Sequence, residues 1–190
     1  MLPNHFIASR LKTNDGYTWT LPTRLGQMLS EVEAAYGPRD RSWTILGIEF
    51  IVGNPQIWFP GDRAHVAIQL STTAEESEVR ACYQLAHETV HLLAPAGPRI
   101  APVIEEGLAT VYAEDFVRRE FKVIDMTNVP SYARAAALVR ELLAATPDAI
   151  PRLRAIEPYF TRFTADTFIQ GGVIVTESLV LELLRSFSRE

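Results

Sequence analysis

Five consecutive residues, His87-Glu88-Thr89-Val90-His91, constrain this chain more than anything else in it. Positions four apart on a helix share one face, about 40° from each other, so two imidazoles there can reach a single ion. Glu88 is rotated one residue away. That keeps it off the ion and turns it toward the open coordination position, where a general base for a bound water belongs.

The residues around the motif predict the helix it needs. Thr72 with Glu75 and Thr73 with Glu76 form possible capping boxes, and Val79, Cys82, Tyr83, Leu85, Ala86, Val90 and Leu93 supply an apolar side. The predicted helix runs from about Ala74 to Leu93 and stops at Ala94-Pro95-Ala96-Gly97-Pro98. Both histidines fall in its last turns.

Catalytic zinc takes three protein ligands and keeps a fourth position open, so a third ligand must come from elsewhere. The nearest carboxylates downstream are Glu105 and Glu106, which open a second predicted helix after Ala101-Pro102. Val103, Ile104, Gly107, Leu108 and Val111 give that helix a buried side. Glu106-Gly107-Leu108-Ala109 reads as a carboxylate facing the first helix, with a glycine that lets the two backbones approach.

His-Glu-x-x-His, followed after a Pro/Gly loop by Glu-Glu-Gly-Leu-Ala-Thr, resembles the gluzincin, or peptidase-MA-like, zinc metallopeptidases over roughly Ala64 to Glu114. The resemblance implies His87, His91 and Glu106 as ligands of one Zn2+, Glu88 as catalytic base, and a peptide or protein as substrate. Thr110 stands where some members of the group hold a ligand histidine with an Asp, which makes its hydroxyl the expected, weaker substitute. The resemblance also implies that the strand before the motif helix, Ala64 to Leu70, is an exposed edge along which an extended substrate lies. A Tyr or His that polarises the substrate carbonyl is expected too. Tyr159, between Pro158 and a Phe/Thr-rich stretch, leads the set Tyr83, Tyr112, Tyr132 and Tyr159, and His65 is a further possibility.

Spacing excludes two neighbours. A metzincin needs Gly and His three and six residues beyond His91, where this chain has Ala94 and Gly97. A deformylase-like site needs an upstream cysteine ligand, but Cys82 lies on roughly the opposite side of the motif helix and reads as core. A reading from another class keeps the metal but not the reaction: a zinc-bound, non-catalytic binding or regulatory domain derived from a peptidase. Glu88 argues against it, since a structural site closes its fourth position and needs no base.

With 190 residues, 47% of them hydrophobic, and no linker-like stretch, the chain predicts one unit, sheet-bearing over about 1–94 and helical over about 95–190. Its formal charge of -5 offers no basic face for nucleic acid, and Arg118-Arg119 reads as a solvated pair. One cysteine and a Met1–Asp15 segment without a long apolar run predict a cytoplasmic protein with no membrane span.

The rest follows from periodicity. A helix over Pro22–Tyr36 precedes strands at Ser42–Val52, Gln56–Phe59 and Ala64–Leu70, with a turn at Pro60-Gly61-Asp62. Helices are predicted at Pro130–Ala145, Asp148–Ile156 and Gly172–Phe187. The expected class is α+β: a small antiparallel or mixed sheet with an exposed edge strand on the motif helix, then a mostly helical half. By resemblance it is zincin-like.

Overall fold

The structure, a computed structural model, describes residues 8–10, 17–61, 63–97 and 99–189. Asp62, Pro98 and most of Met1–Asp15, which figure in the expectations above, lie outside them. The chain is α+β, with a mixed three-stranded sheet and mostly helical content. An antiparallel ribbon of β1 (Ala8–Arg10) and β2 (Tyr17–Thr20), absent from the sequence reading, leads into α1 (Leu21–Tyr36). Thr20 and Thr23 close a capping box on α1, and Pro22 occupies the first turn, where a missing N–H costs nothing. Leu21, Leu25, Met28 and Val32 form its buried stripe.

The sheet comprises β3 (Thr44–Ile51), β4 (Gln56–Trp58) and β5 (His65–Ser71) in the order β3-β5-β4. β5 runs parallel to β3 and antiparallel to β4. This overturns one expectation: the strand before the motif helix is central, and the edges are β3 and β4. Alternation misled because Gln69, a polar member of β5, is satisfied sideways. Gln69 donates to Glu49 Oε1 on β3 and accepts from Gln56 Nε2 on β4, both at 2.7 Å, which buries an amide that alternation assigns to water. Val66, Ile68 and Leu70 fill the other face, fully buried in the core.

α2 (Glu78–His91) starts later than predicted. Thr72–Ala74 forms a separate 3-10 turn capped by Ser71, and the helix is capped by Ser77, whose hydroxyl accepts from Arg80 N. The chain has to turn between β5 and the helix, and Ser71 N donates to Gln84 Oε1 at 2.9 Å to hold that corner. Thr72 and Thr73 are thereby spent on the turn.

α3 (Val103–Phe121) lies between α2 and α4 (Pro130–Ala145). Gly107 does permit a close approach, but to α4 and not α2. A Cβ there would stand 2.3 Å from Ala135 O and 2.7 Å from Val139 Cγ2. α5 (Ala149–Ile156) follows as predicted. The helix expected over 172–187 is the shorter α7 (Glu177–Leu184), and α6 (Ala165–Gln170), which precedes it, was not anticipated. Gly172, at φ +64°, and the Thr176 cap separate them. One apolar core extends from Leu21 to Leu183 across these elements. No helix among the described residues is long and apolar enough to cross a membrane.

Candidate metal centre

The last turn of α2 and the first turn of α3 face each other, which brings the predicted ligands together. His87 Nε2 lies 3.2 Å from Glu106 Oε2 and His91 Nε2 lies 3.7 Å from Glu106 Oε1. The potential ligand atoms of His87, His91 and Glu106 are all within 4.8 Å of one another. A tetrahedral ion with bonds of about 2.0–2.1 Å sets its ligands about 3.3 Å apart, so this donor set fits such an ion. Two neutral imidazoles and one carboxylate also match zinc in ligand type.

Both downstream glutamates have work here, divided between two atoms of one ring. Glu105 Oε1 lies 2.8 Å from His91 Nδ1. A carboxylate accepts, so Nδ1 is the nitrogen that donates, which leaves Nε2, the atom facing Glu106, as the one that would bind an ion. Thr110, expected to support a histidine, does not: its hydroxyl donates to Glu106 O on its own helix, at 2.8 Å. Adjacent carboxylates at 105 and 106 are the sequence signal for the actual support.

The electrostatics favour bound positive charge. Burial pulls the His91 pKa down, but the charge of Glu106 and the hydrogen bond and charge of Glu105 more than offset this and lift it to about 10. Burial pushes Glu106 up, yet the two imidazoles outweigh it and hold the carboxyl below its usual range. Glu88, only 3% exposed, is raised: burial dominates, and the histidines offset it only in part. The charges of Glu105 and Glu106 thus favour a positive charge at His91. A divalent cation meets the same demand.

Two hollows of about 340 and 560 Å³ share Pro55, His87, Glu88 and Tyr132, and so meet over the centre as one groove. β4 lines the smaller part, and Thr161, whose buried hydroxyl has no hydrogen-bond partner among the described residues, lines it too. Residues 125–129, after α3, line the larger part.

Of the phenols, Tyr132 is the one at the centre. Its ring lies 5.5 Å from that of His87, and burial followed by the charge of Glu106 pushes its pKa up to about 12. Tyr159 instead donates to Asp40 Oδ2 at 2.5 Å, and Tyr112 to Glu31 Oε2 at 2.9 Å. Tyr83 pairs with Thr127 at 2.7 Å in the wall of the larger hollow. His65, half-buried at the start of β5, lines neither hollow. Helical spacing with Ala135, Ala136, Val139 and Leu142 puts Tyr132 toward the buried face of α4, but nothing in the sequence separates it from the other phenols. Cys82 is fully buried, and burial lifts its thiol to about 12, as befits core packing.

No protein family, no curated protein and no solved structure matches this chain.

Proposed function

We propose that the chain is a zinc metallopeptidase of the gluzincin type on a zincin-like fold, hydrolysing peptide bonds. The convergence of two imidazole Nε2 atoms on the Glu106 carboxylate, with Glu88 beside them on an open groove, carries this reading. When bound, zinc supplies Lewis acidity, lowering the pKa of a coordinated water to about 7 and polarising the substrate carbonyl.

The chain's own residues do the rest. Glu88 takes the proton of the attacking water and returns it to the leaving amine nitrogen. Glu105 fixes the His91 ring in the tautomer that presents Nε2. Tyr132, protonated at neutral pH, donates to the oxygen on which negative charge develops. The free edge of β4 offers a row of backbone N–H and C=O groups to an extended substrate.

Metal analysis of the purified protein, with digestion of a broad peptide library, tests the reading. Zinc at one equivalent and cleavage by the native chain are expected. Glu88→Gln should keep the metal and lose about 10²- to 10⁴-fold in rate. Undiminished cleavage by Glu88→Gln would remove the catalytic assignment.

A further inference from the structure

The surface arginines of this protein are unevenly partnered. Arg41, Arg118, Arg134, Arg140 and Arg152 each have a carboxylate at 2.6–3.0 Å. The three that line the groove, Arg80, Arg99 and Arg189, are exposed, and none pairs with a carboxylate among the described residues. Arg162 lacks one as well, but it stacks at 4.5 Å on the Tyr159 ring. Apart from Glu88, Glu105 and Glu106 at the centre, Asp125 is the one carboxylate lining the groove among the described residues. Away from the centre, three cations against one anion stand out on a chain whose formal charge is -5.

Two of these arginines are held in place. Arg80 Nη1 donates to Thr73 O at 3.0 Å, which fixes the side chain by one nitrogen and leaves the others available. Arg189 follows a segment paired across the start of α3: Val103 N donates to Arg185 O at 2.8 Å and Phe187 N to Ala101 O at 2.9 Å. The Phe187 ring packs 4.7 Å from Tyr132, and the Arg189 guanidinium lies 5.9 Å from that same ring. A cation is therefore presented beside the phenol at the centre. Arg99 lines the smaller hollow and Arg80 and Arg189 the larger, so unpaired positive charge lies on both sides of His87 and Glu88.

Building on the reading of the groove as a peptide cleft, we propose that its substrates are acidic peptides, with carboxylates on both sides of the bond presented to the centre. Arg99 receives one flank and Arg80 and Arg189 the other. A single-stranded nucleic acid is the competing polyanion. The β4 edge favours a peptide, because its N–H and C=O groups complement an amide backbone and not a phosphodiester. The acidic cluster at the centre confines the substrate carboxylates to positions away from the reacting bond.

The test measures binding by fluorescence anisotropy on full-length Glu88→Gln protein. The probes are acidic, neutral and basic peptides of equal length with blocked ends, and a single-stranded DNA oligonucleotide. The acidic peptide should bind about tenfold tighter than the neutral one, as three solvent-exposed ion pairs allow, and the basic one weakest. That preference should shrink between roughly 0.01 and 0.15 M salt, where the screening length falls from about 30 to about 8 Å. It should vanish in a protein also carrying Arg80→Gln, Arg99→Gln and Arg189→Gln, with circular dichroism and metal content unchanged. Should that triple substitution unfold the protein, Arg189→Glu alone must shift the preference toward the basic peptide. Equal binding of the three peptides, no binding of any, tighter binding of the oligonucleotide, or a preference that survives the substitutions would each overturn the proposal. Failure of the hydrolase reading is separate: native protein would cut none of these peptides, while Glu88→Gln still ranked them by charge.

Discussion

The two ends of α2 are built differently. At its start, Ser77 makes one local hydrogen bond to Arg80 N, and Arg80 is exposed. At its finish, remote parts of the chain converge. Leu93 O accepts from Asp40 N at 2.8 Å and from Arg154 Nη2 at 3.3 Å. Glu105 holds His91, and Tyr132 packs on His87. The end that carries His87 and His91 is thus fixed by long-range contacts, and the opposite end by its neighbours in sequence. A metal site needs that arrangement, because ligand atoms tolerate displacements of only a few tenths of an ångström.

If remote anchoring sets the C-terminal end, its largest single support is Arg154. This side chain, 5% exposed, meets no carboxylate within ion-pair distance among the described residues; it donates instead to the carbonyls of Tyr36, Gly37, Pro38, Leu93 and Pro158. It closes the ends of α1 and α2 together, where a cation also meets the negative ends of both helices. Arg154→Ala strands buried acceptors at about 1–3 kcal/mol each where water cannot reach, so a loss of about 4 kcal/mol is expected. The thermal midpoint should fall by roughly 8–16 °C. Arg41→Ala, which removes an exposed pair with Glu33, should stay within about 0.5 kcal/mol. Similar melting of the two variants would break the contrast between the ends.

Next in size comes the phenol over His87. Under the proposed hydrolysis, Tyr132→Phe keeps the ring packing and removes the donor, and kcat/KM should drop about 100-fold with metal content unchanged. Tyr159→Phe, whose hydroxyl serves Asp40, should leave kcat/KM within about twofold, as for a change that leaves transition-state contacts in place. Equal losses in the two variants would mean that position in the groove does not decide the role.

Glu105→Gln probes the anchoring of His91 itself. An amide of the same shape stays beside Nδ1 but no longer fixes the tautomer or adds to the ligand's basicity. Metal affinity, read by competition with a chromogenic chelator, should weaken about 10- to 100-fold. An unchanged affinity would leave Glu105 a packing residue and return the support of the site to Glu106 alone.

The same contrast explains what the sequence showed. The motif, the two helices that bring His87, His91 and Glu106 together, and the α+β class were legible because periodicity and His-Glu-x-x-His spacing are properties of single helices. β5 was placed at the edge wrongly, since nothing within Ala64–Leu70 tells that Gln69 is satisfied by Glu49 and Gln56 on either side. Gly107 signalled a close contact but not its partner, which is Ala135, 28 positions on. Arg154 carried no local signal at all, because its five acceptors belong to three separate stretches of backbone. Tyr159 looked the best phenol from its loop, and only the pairing with Asp40 draws it away.

The smallest effect is expected at the other end of α2, and it discriminates between two starts for that helix. A helix beginning near Ala74 would lean on Thr72 or Thr73, whereas the structure caps it with Ser77. Ser77→Ala should therefore cost about 1 kcal/mol, and Thr72→Ala less than about 0.5 kcal/mol. Amide exchange at Arg80, whose N–H loses its acceptor, should speed up in the first variant alone. Metal affinity should not move in either one, since Gln84 still ties the helix to Ser71 and the residues from Leu85 onward are held from the far end. A loss of metal in Ser77→Ala would show instead that the two ends of α2 are coupled, and that the centre depends on local capping as much as on its remote partners.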